Sequence, residues 1–340
     1  MSLRFATFLP VVLALGVAVQ TPAQLITEQA AYYEGFIGGT PVTADFAFGD
    51  TTWTGTYTLE PNGVTRFVEG SVDYEGAAQA TIAPEQWTED PEAMVGQLEG
   101  SFTPLSDVFE GRITRSDGVA YPVRFEAAVR YATRRYTEGR IELSITYPHF
   151  LDNEPALQGL NTALSAAAAA GIEDLILQGR AEKDSLDADL AEFFRWSSDE
   201  RWSVRHASPN LVSLLSTGYW YTGGAHGNIA FESMTFAFEN GRPRALRLAD
   251  VFTDASTFVE MVSSYCLGDL KRQEAPAVMD GSVTAFTVED LQAFSLHPAG
   301  LTIHFAPYAV GPWAAGSYEV LIPADELRDL VTPQVAALFE

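Results

Sequence analysis

Alternation of apolar and polar positions dominates the chain from about residue 31 to 130. Runs rich in Thr, Val, Phe, Tyr and Trp predict strands over 42–48, 52–59, 65–72, 97–103, 108–114 and 119–129. Turn residues at Gly49-Asp50, Pro61-Asn62-Gly63 and Asp117-Gly118 separate them. The spacing predicts an all-β domain over 24–130, folded as a small sandwich or barrel. Tyr33-Glu34-Gly35 and Phe109-Glu110-Gly111 repeat an aromatic–x–Gly arrangement that hairpin chemistry explains.

Beyond Arg130 the period changes. Arg130, Arg134, Arg135 and Arg140 form the most basic stretch, which reads as a linker or as the first strand of a second domain, 131–340. Residues 141–147 alternate as a strand. Residues 155–177 carry Leu157, Leu160, Leu164, Ile172 and Ile176 at helical spacing, and 182–194 is polar and helix-friendly. Strands follow at 204–206, 211–221, 229–239 and 245–248, with Asn240-Gly241 as a two-residue hairpin turn between the last two. A second helix is expected over 257–271, a hairpin over 294–305, a last strand over 318–322 and a short helix over 324–330. Helices and hairpins so interspersed predict an α+β fold, with an antiparallel sheet and flanking helices in the C-terminal module.

The N-terminus adds a compartment. Arg4, an apolar run from Phe5 to Val19 and Thr21-Pro22-Ala23 read as a signal peptide, 1–23, cleaved after Ala23. The alternative is an uncleaved anchor. Later apolar runs are broken by charge, Gly or Pro, so no membrane span is expected after cleavage. The protein is therefore expected to be exported, to the periplasm or the medium. Cys266, the only cysteine, cannot form an internal disulfide and reads as a buried small side chain in the 257–271 helix. Lys plus Arg number 20 and Asp plus Glu 45, so the net charge is −25. Such a chain repels phosphate backbones and anionic bilayers, which argues against nucleic acid and membrane surfaces as partners.

Two segments concentrate candidate chemistry. Tyr219-Trp220-Tyr221-Thr222-Gly223-Gly224-Ala225-His226-Gly227-Asn228 places aromatics against a glycine-rich loop between two strands. The glycines permit positive φ, and the aromatics offer a stacking surface. Pro307-Tyr308 to Trp313, between two other strands, holds Pro307 and Pro312 with two large aromatics. The candidate binding residues are thus Tyr219, Tyr221, Gly223, Gly224, His226, Asn228, Pro307, Tyr308 and Trp313. No catalytic, cofactor or metal site is expected. The glycine loop lacks the Lys-Ser/Thr of a phosphate-binding loop, no Gly-x-Ser-x-Gly elbow occurs, and no histidine pair has helical metal-ligand spacing. His297 and His304 flank one hairpin.

The motif from Tyr221 to Asn228 resembles the hallmark of an extracytoplasmic bacterial domain of unknown function. That domain occurs as the lysozyme-binding part of RsiV-type anti-sigma factors and beside the catalytic domain of PdaC-type peptidoglycan deacetylases. Leu246-x-Leu-x-Asp250-Val251-Phe252, Gly300 to Phe305, Pro307-Tyr308-x-Val-Gly311-Pro312 and Val320-x-Ile322-Pro323 continue the resemblance, which covers about residues 135–340. It implies an exported cell-envelope binding protein that recognises a basic lysozyme-like protein or peptidoglycan glycan. No cytoplasmic sigma-binding segment or deacetylase domain is recognised, so a protein without catalysis is expected. The alternatives are a structural envelope protein and an envelope hydrolase using His226.

Overall fold

The structure, a computed structural model, describes residues 24–48, 52–59, 64–72, 78–82, 96–102, 107–115, 118–187, 194–254 and 258–339. The expected signal peptide and the turns at 49–50, 61–63 and Asp117 lie outside these residues.

Eight antiparallel strands open the fold: β1 (Gln24–Ile37), β2 (Thr40–Phe48), β3 (Thr52–Leu59), β4 (Val64–Val72), β5 (Ala78–Ile82), β6 (Gly96–Phe102), β7 (Val108–Arg115) and β8 (Ala120–Glu138). Each pairs with the next, and β1 also pairs with β8, so the sheet closes into an up-and-down barrel. Of the two expected all-β arrangements, the barrel is the one formed. Its interior is aromatic: Phe46 meets Trp53 edge-on at 4.9 Å, and Phe109 stacks on Phe125 at 5.8 Å. Closure requires close approach at Gly35, where a Cβ would sit 1.9 Å from the Arg124 carbonyl oxygen.

β8 is 19 residues long and passes residue 130 without a break. The basic stretch beginning at Arg130 is therefore strand. Arg130 pairs with Asp107 at 2.8 Å, at the barrel rim. Successive side chains of β1 point to opposite faces, and the β1–β8 register shifts between Ala127 and Val129, so this pair of strands serves two cores. Tyr33 and Phe125 enter the barrel, while Tyr32, Val129 and Tyr131 enter a second core backed by a helix.

That second core lies under α1 (Pro155–Asp184). Leu157, Leu160, Leu164, Ala168, Ile172 and Ile176 form its buried stripe. They pack on Ile141, Leu143 and Ile145 of β9 (Ile141–Phe150). Buried Asn161 reads the end of β9 as a strand would: its Oδ1 accepts from Phe150 N at 2.8 Å and its Nδ2 donates to Phe150 O at 2.9 Å. By length and composition α1 is apolar enough to cross a membrane. This corrects the expectation that no later segment reaches spanning length. The alanines between the stripe positions raise its apolarity, and the stripe itself is turned onto β9.

α1 is a crossover connection, because β10 (Trp196–Ala207) returns parallel to β9. It is the parallel pair in an otherwise antiparallel sheet. β11 (Leu211–Tyr221), β12 (Asn228–Glu239) and β13 (Arg242–Leu246) complete a sheet of 13 strands. Asn240 (φ 52°) and Gly241 (φ 73°) make the expected tight turn between β12 and β13. Arg201 of β10 ties the barrel to this sheet: its guanidinium is 3.0 Å from Asp45 and lies 4.3 Å over the Tyr131 ring. The Tyr131 hydroxyl donates to the same Asp45 at 2.6 Å.

The C-terminal region holds α2 (Leu248–Val251), α3 (Phe258–Arg272), α4 (Pro276–Met279) and a separate antiparallel sheet of β14 (Phe294–His297), β15 (Gly300–Phe305) and β16 (Tyr318–Pro323). One face of that sheet, with Phe294, Leu296, Leu301, Ile303, Phe305, Val320 and Ile322, packs against Val262, Cys266 and Leu270 of α3. The edge of β14 is held to β11 by Leu296 N donating to Ser213 Oγ at 2.9 Å. The mixed architecture is the expected α+β class.

Candidate functional site

The loop 222–227 links β11 to β12, and the loop 306–317 links β15 to β16. Gly223 (φ 107°) and Gly224 (φ 96°) adopt backbone conformations that side chains resist. Their turn carries the Gly224 carbonyl to the Tyr221 hydroxyl, which donates to it at 3.0 Å. At Gly227 the Tyr219 ring lies so close that a Cβ would meet it at 2.3 Å. Asn228 pairs with Trp220 at the start of the β11–β12 ladder.

The second loop is rigid for a different reason. Val310 is 1% exposed, and its carbonyl accepts from Ala277 N at 2.9 Å. This anchor in the core leaves Pro307 and Tyr308 before it and Trp313 after it at the surface. Tyr308 is 59% exposed and held at φ 74°, an unusual conformation for a bulky side chain.

The two loops converge. His226 stacks on Trp313 with ring centroids 4.5 Å apart and planes 12° from parallel. Tyr308 completes the group, 6.3 Å from the His226 ring and 6.0 Å from Trp313. The hydrogen bonds fix the imidazole. Its Nδ1 is 2.7 Å from the Gly227 carbonyl, which only accepts, so Nδ1 carries the proton. Nε2 is then free to accept from the Tyr308 hydroxyl at 3.3 Å. Both ring nitrogens are engaged, and no carboxylate is hydrogen-bonded to His226 among the described residues.

The structure thus brings together His226, Tyr308 and Trp313 of the nine expected residues. Tyr219, Tyr221, Gly223 and Gly224 shape the glycine loop, Asn228 belongs to the ladder, and Pro307 precedes Tyr308. The aromatic group can offer flat, partly apolar faces rimmed by a hydroxyl and backbone carbonyls.

Two polar groups have no signal in local sequence. On β14–β16, Ser295, His304 and Glu319 share one sheet face. On β10–β12, Glu200 Oε1 accepts from Ser216 Oγ at 2.7 Å and from Trp202 Nε1 at 2.5 Å. Glu232, paired in register with Ser216, is pushed up to about 7 by burial and by the Glu200 charge. Cys266 is fully buried, as expected, and burial pushes its thiol up to about 12. Among the described residues, no group of three His, Cys, Asp or Glu side chains is placed to hold a metal ion.

Residues 136–229 match the family model described as Deacetylase PdaC, and residues 249–325 match one described as a protein of unknown function, DUF3298. Among curated proteins, a peptidoglycan-N-acetylmuramic acid deacetylase PdaC from Bacillus subtilis strain 168 is 23% identical over 136 residues. The alignment covers 39% of this chain and 29% of that protein. Two solved structures of the DUF3298 family are also similar. The one from Bacteroides fragilis has 18% identity and a TM-score of 0.43, covering 63% of this chain and 98% of its own. The one from Pseudomonas aeruginosa has 18% identity and a TM-score of 0.43, covering 60% and 95%.

The curated relative corrects one expectation. Absence of contiguous catalytic motifs suggested a protein without catalysis, yet that relative is named for an enzyme. Such motifs report only chemistries whose groups lie close together in sequence, and strand pairing assembles others from afar. His226 falls in the first matched region, and Tyr308 and Trp313 fall in the second. The two matched regions meet at these loops.

Proposed function

We propose that this protein acts outside the cytoplasm and engages peptidoglycan-type glycan through His226, Tyr308 and Trp313. The observation that carries the reading is the exposed Tyr308, held at φ 74° beside the parallel His226–Trp313 pair. Strain at an exposed aromatic marks a side chain presented to a partner. Sugar rings have apolar C–H faces that stack on aromatic rings and hydroxyls that reach the rim. The curated relative acts on peptidoglycan by name, which accords with this ligand class.

The test is titration of the full chain with soluble N-acetylhexosamine oligosaccharides and muropeptide fragments, read by calorimetry and tryptophan fluorescence. Saturable binding that weakens at least about tenfold in Trp313→Ala, with an unchanged melting temperature, supports the reading. No saturable binding at millimolar ligand sinks it.

A second reading takes a basic lysozyme-like protein as partner, favoured by the net charge of −25. Retention on immobilised basic lysozyme, lost between low and moderate salt, is the expected result. No retention at low salt removes it.

A further inference from the structure

Ser295, His304 and Glu319 sit on three adjacent strands and form one hydrogen-bonded row. Ser295 Oγ is 2.8 Å from His304 Nε2, and His304 Nδ1 is 3.0 Å from Glu319 Oε1. Register places them so. His304 pairs directly with Glu319, and Ser295 pairs with Thr302, two residues before His304 on the same strand. Strand alternation puts all four on the face opposite the α3 core. A carboxylate only accepts, so Glu319 fixes the imidazole proton on Nδ1. Nε2 then accepts from the Ser295 hydroxyl. His304 is 3% exposed; burial holds it below the usual histidine range, and the hydrogen bond from His304 holds Glu319 below the usual carboxylate range. A neutral imidazole beside an ionised carboxylate is therefore the resting state near neutral pH.

The row lines a cavity of about 640 Å³ between the C-terminal sheet, β10 and the barrel. Thr54, Thr56 and Ser203 give the opposite wall a hydroxyl-rich surface. Arg205 of β10 lines it too, and its charge acts on both His304 and Glu319. The buried Nε of Arg205 donates to no group among the described residues.

We propose that Ser295 and His304, positioned by Glu319, form an acyl-transfer site that hydrolyses small carboxylic esters carried on a hydroxyl-rich molecule. Ser295 Oγ attacks the ester carbonyl carbon and passes its proton to His304 Nε2. The tetrahedral oxyanion develops in a cavity whose nearby cation is Arg205. The carbon–oxygen ester bond breaks, the leaving oxygen takes the proton from Nε2, and the alcohol departs. The acyl group remains on Oγ. Water then gives a proton to Nε2 while its oxygen attacks the acyl carbon. Oγ leaves with that proton and the carboxylic acid departs, so ester and water become acid and alcohol. Glu319 touches no reacting atom and acts as a positioning residue. The 4% exposure of Ser295 restricts the acyl group to a small one. The rate rises as His304 loses its proton. The groups facing His304 are Glu319 on β16, Arg205 on β10, Ser295 on β14 and the Phe231 ring on β12.

The site is separate from the aromatic group, so the two stand or fall independently. The test incubates the full chain with a fluorophosphonate probe and with p-nitrophenyl acetate. One adduct mapped to Ser295, with ester turnover abolished in Ser295→Ala, is the expected result. Glu319→Gln, at a half-exposed carboxylate, slows turnover at least about 100-fold and shifts its pH profile. Thermal melts confirm that each variant folds; if Ser295→Ala does not, the mapped adduct on the wild type decides. No adduct on the wild type, equal labelling of Ser295→Ala, or Glu319→Gln with the wild-type rate and pH profile overturns the proposal.

Discussion

His226 lies flat against Trp313, although 87 positions of sequence separate the two residues. The contact holds both loops in one arrangement and leaves Tyr308 standing at its edge. Tyr308 occupies a backbone conformation that costs about 1 kcal/mol or more in a bulky residue. Asn tolerates that conformation. Tyr308→Asn is therefore expected to leave stability unchanged or raise it by up to about 1 kcal/mol, while glycan binding falls at least about tenfold. Paired denaturation and titration curves check this. A large loss of stability with binding intact would mean the ring serves packing alone.

Glu232 makes stability depend on pH in a definite direction. Its folded value of about 7 lies above the ordinary 4.5, so the folded state holds a proton that the unfolded state gives up. The contribution is full below about pH 4.5 and is lost as pH rises through 7. Its span is about 2–3 kcal/mol. Glu232→Gln should flatten this part of the stability–pH curve and leave the variant more stable than the parent at pH 8. Urea melts at pH 5, 6, 7 and 8 measure it, and parallel curves for the two proteins would refute it.

The Tyr131 hydroxyl joins three strands: it donates to Asp45 of β2 and accepts from Val204 N of β10 at 3.4 Å. Tyr131→Phe strips a part-buried carboxylate contact from a buried hydroxyl and should cost about 1–3 kcal/mol. Because Arg201 holds the same Asp45, a double-mutant cycle of Tyr131→Phe with Arg201→Met should show coupling above about 0.5 kcal/mol. Additive losses would mean that the ring, and not the hydroxyl, makes the junction.

Cys266 should be silent. A thiol that is fully buried and pushed up to about 12 carries almost no thiolate at neutral pH. Ellman's reagent should find no reactive sulfur in the native protein and one in denaturant. Rapid native labelling would show that α3 opens.

Where neighbours in space are neighbours in sequence, the chain was legible. The expected strand at 211–221 matches β11, and Asn240-Gly241 makes the expected turn between β12 and β13. The stripe from Leu157 to Ile176 reads directly as α1. β1 was not among the expected strands; over its first half Gln24, Thr27, Glu28 and Gln29 show no apolar alternation. β10 was seen only at 204–206, since Ser197, Ser198, Asp199, Glu200 and Arg201 hide its start. The aromatic loops were legible as loops, but their meeting depends on how β11–β12 and β15–β16 are set side by side. Ser295, His304 and Glu319 were illegible for the same reason: register, and not spacing, aligns them.

β1 sends neighbouring side chains into two different interiors, Ala31 and Tyr33 into the barrel and Ala30 and Tyr32 into the helix-backed core. A slip of one residue along β1 would send every one of these to the wrong side at once. Each interior therefore proofreads the pairing that the other depends on. Cutting the chain near residue 130 would leave both halves with an unsealed edge, so the barrel and the helix-backed sheet are expected to be born, and to fail, together.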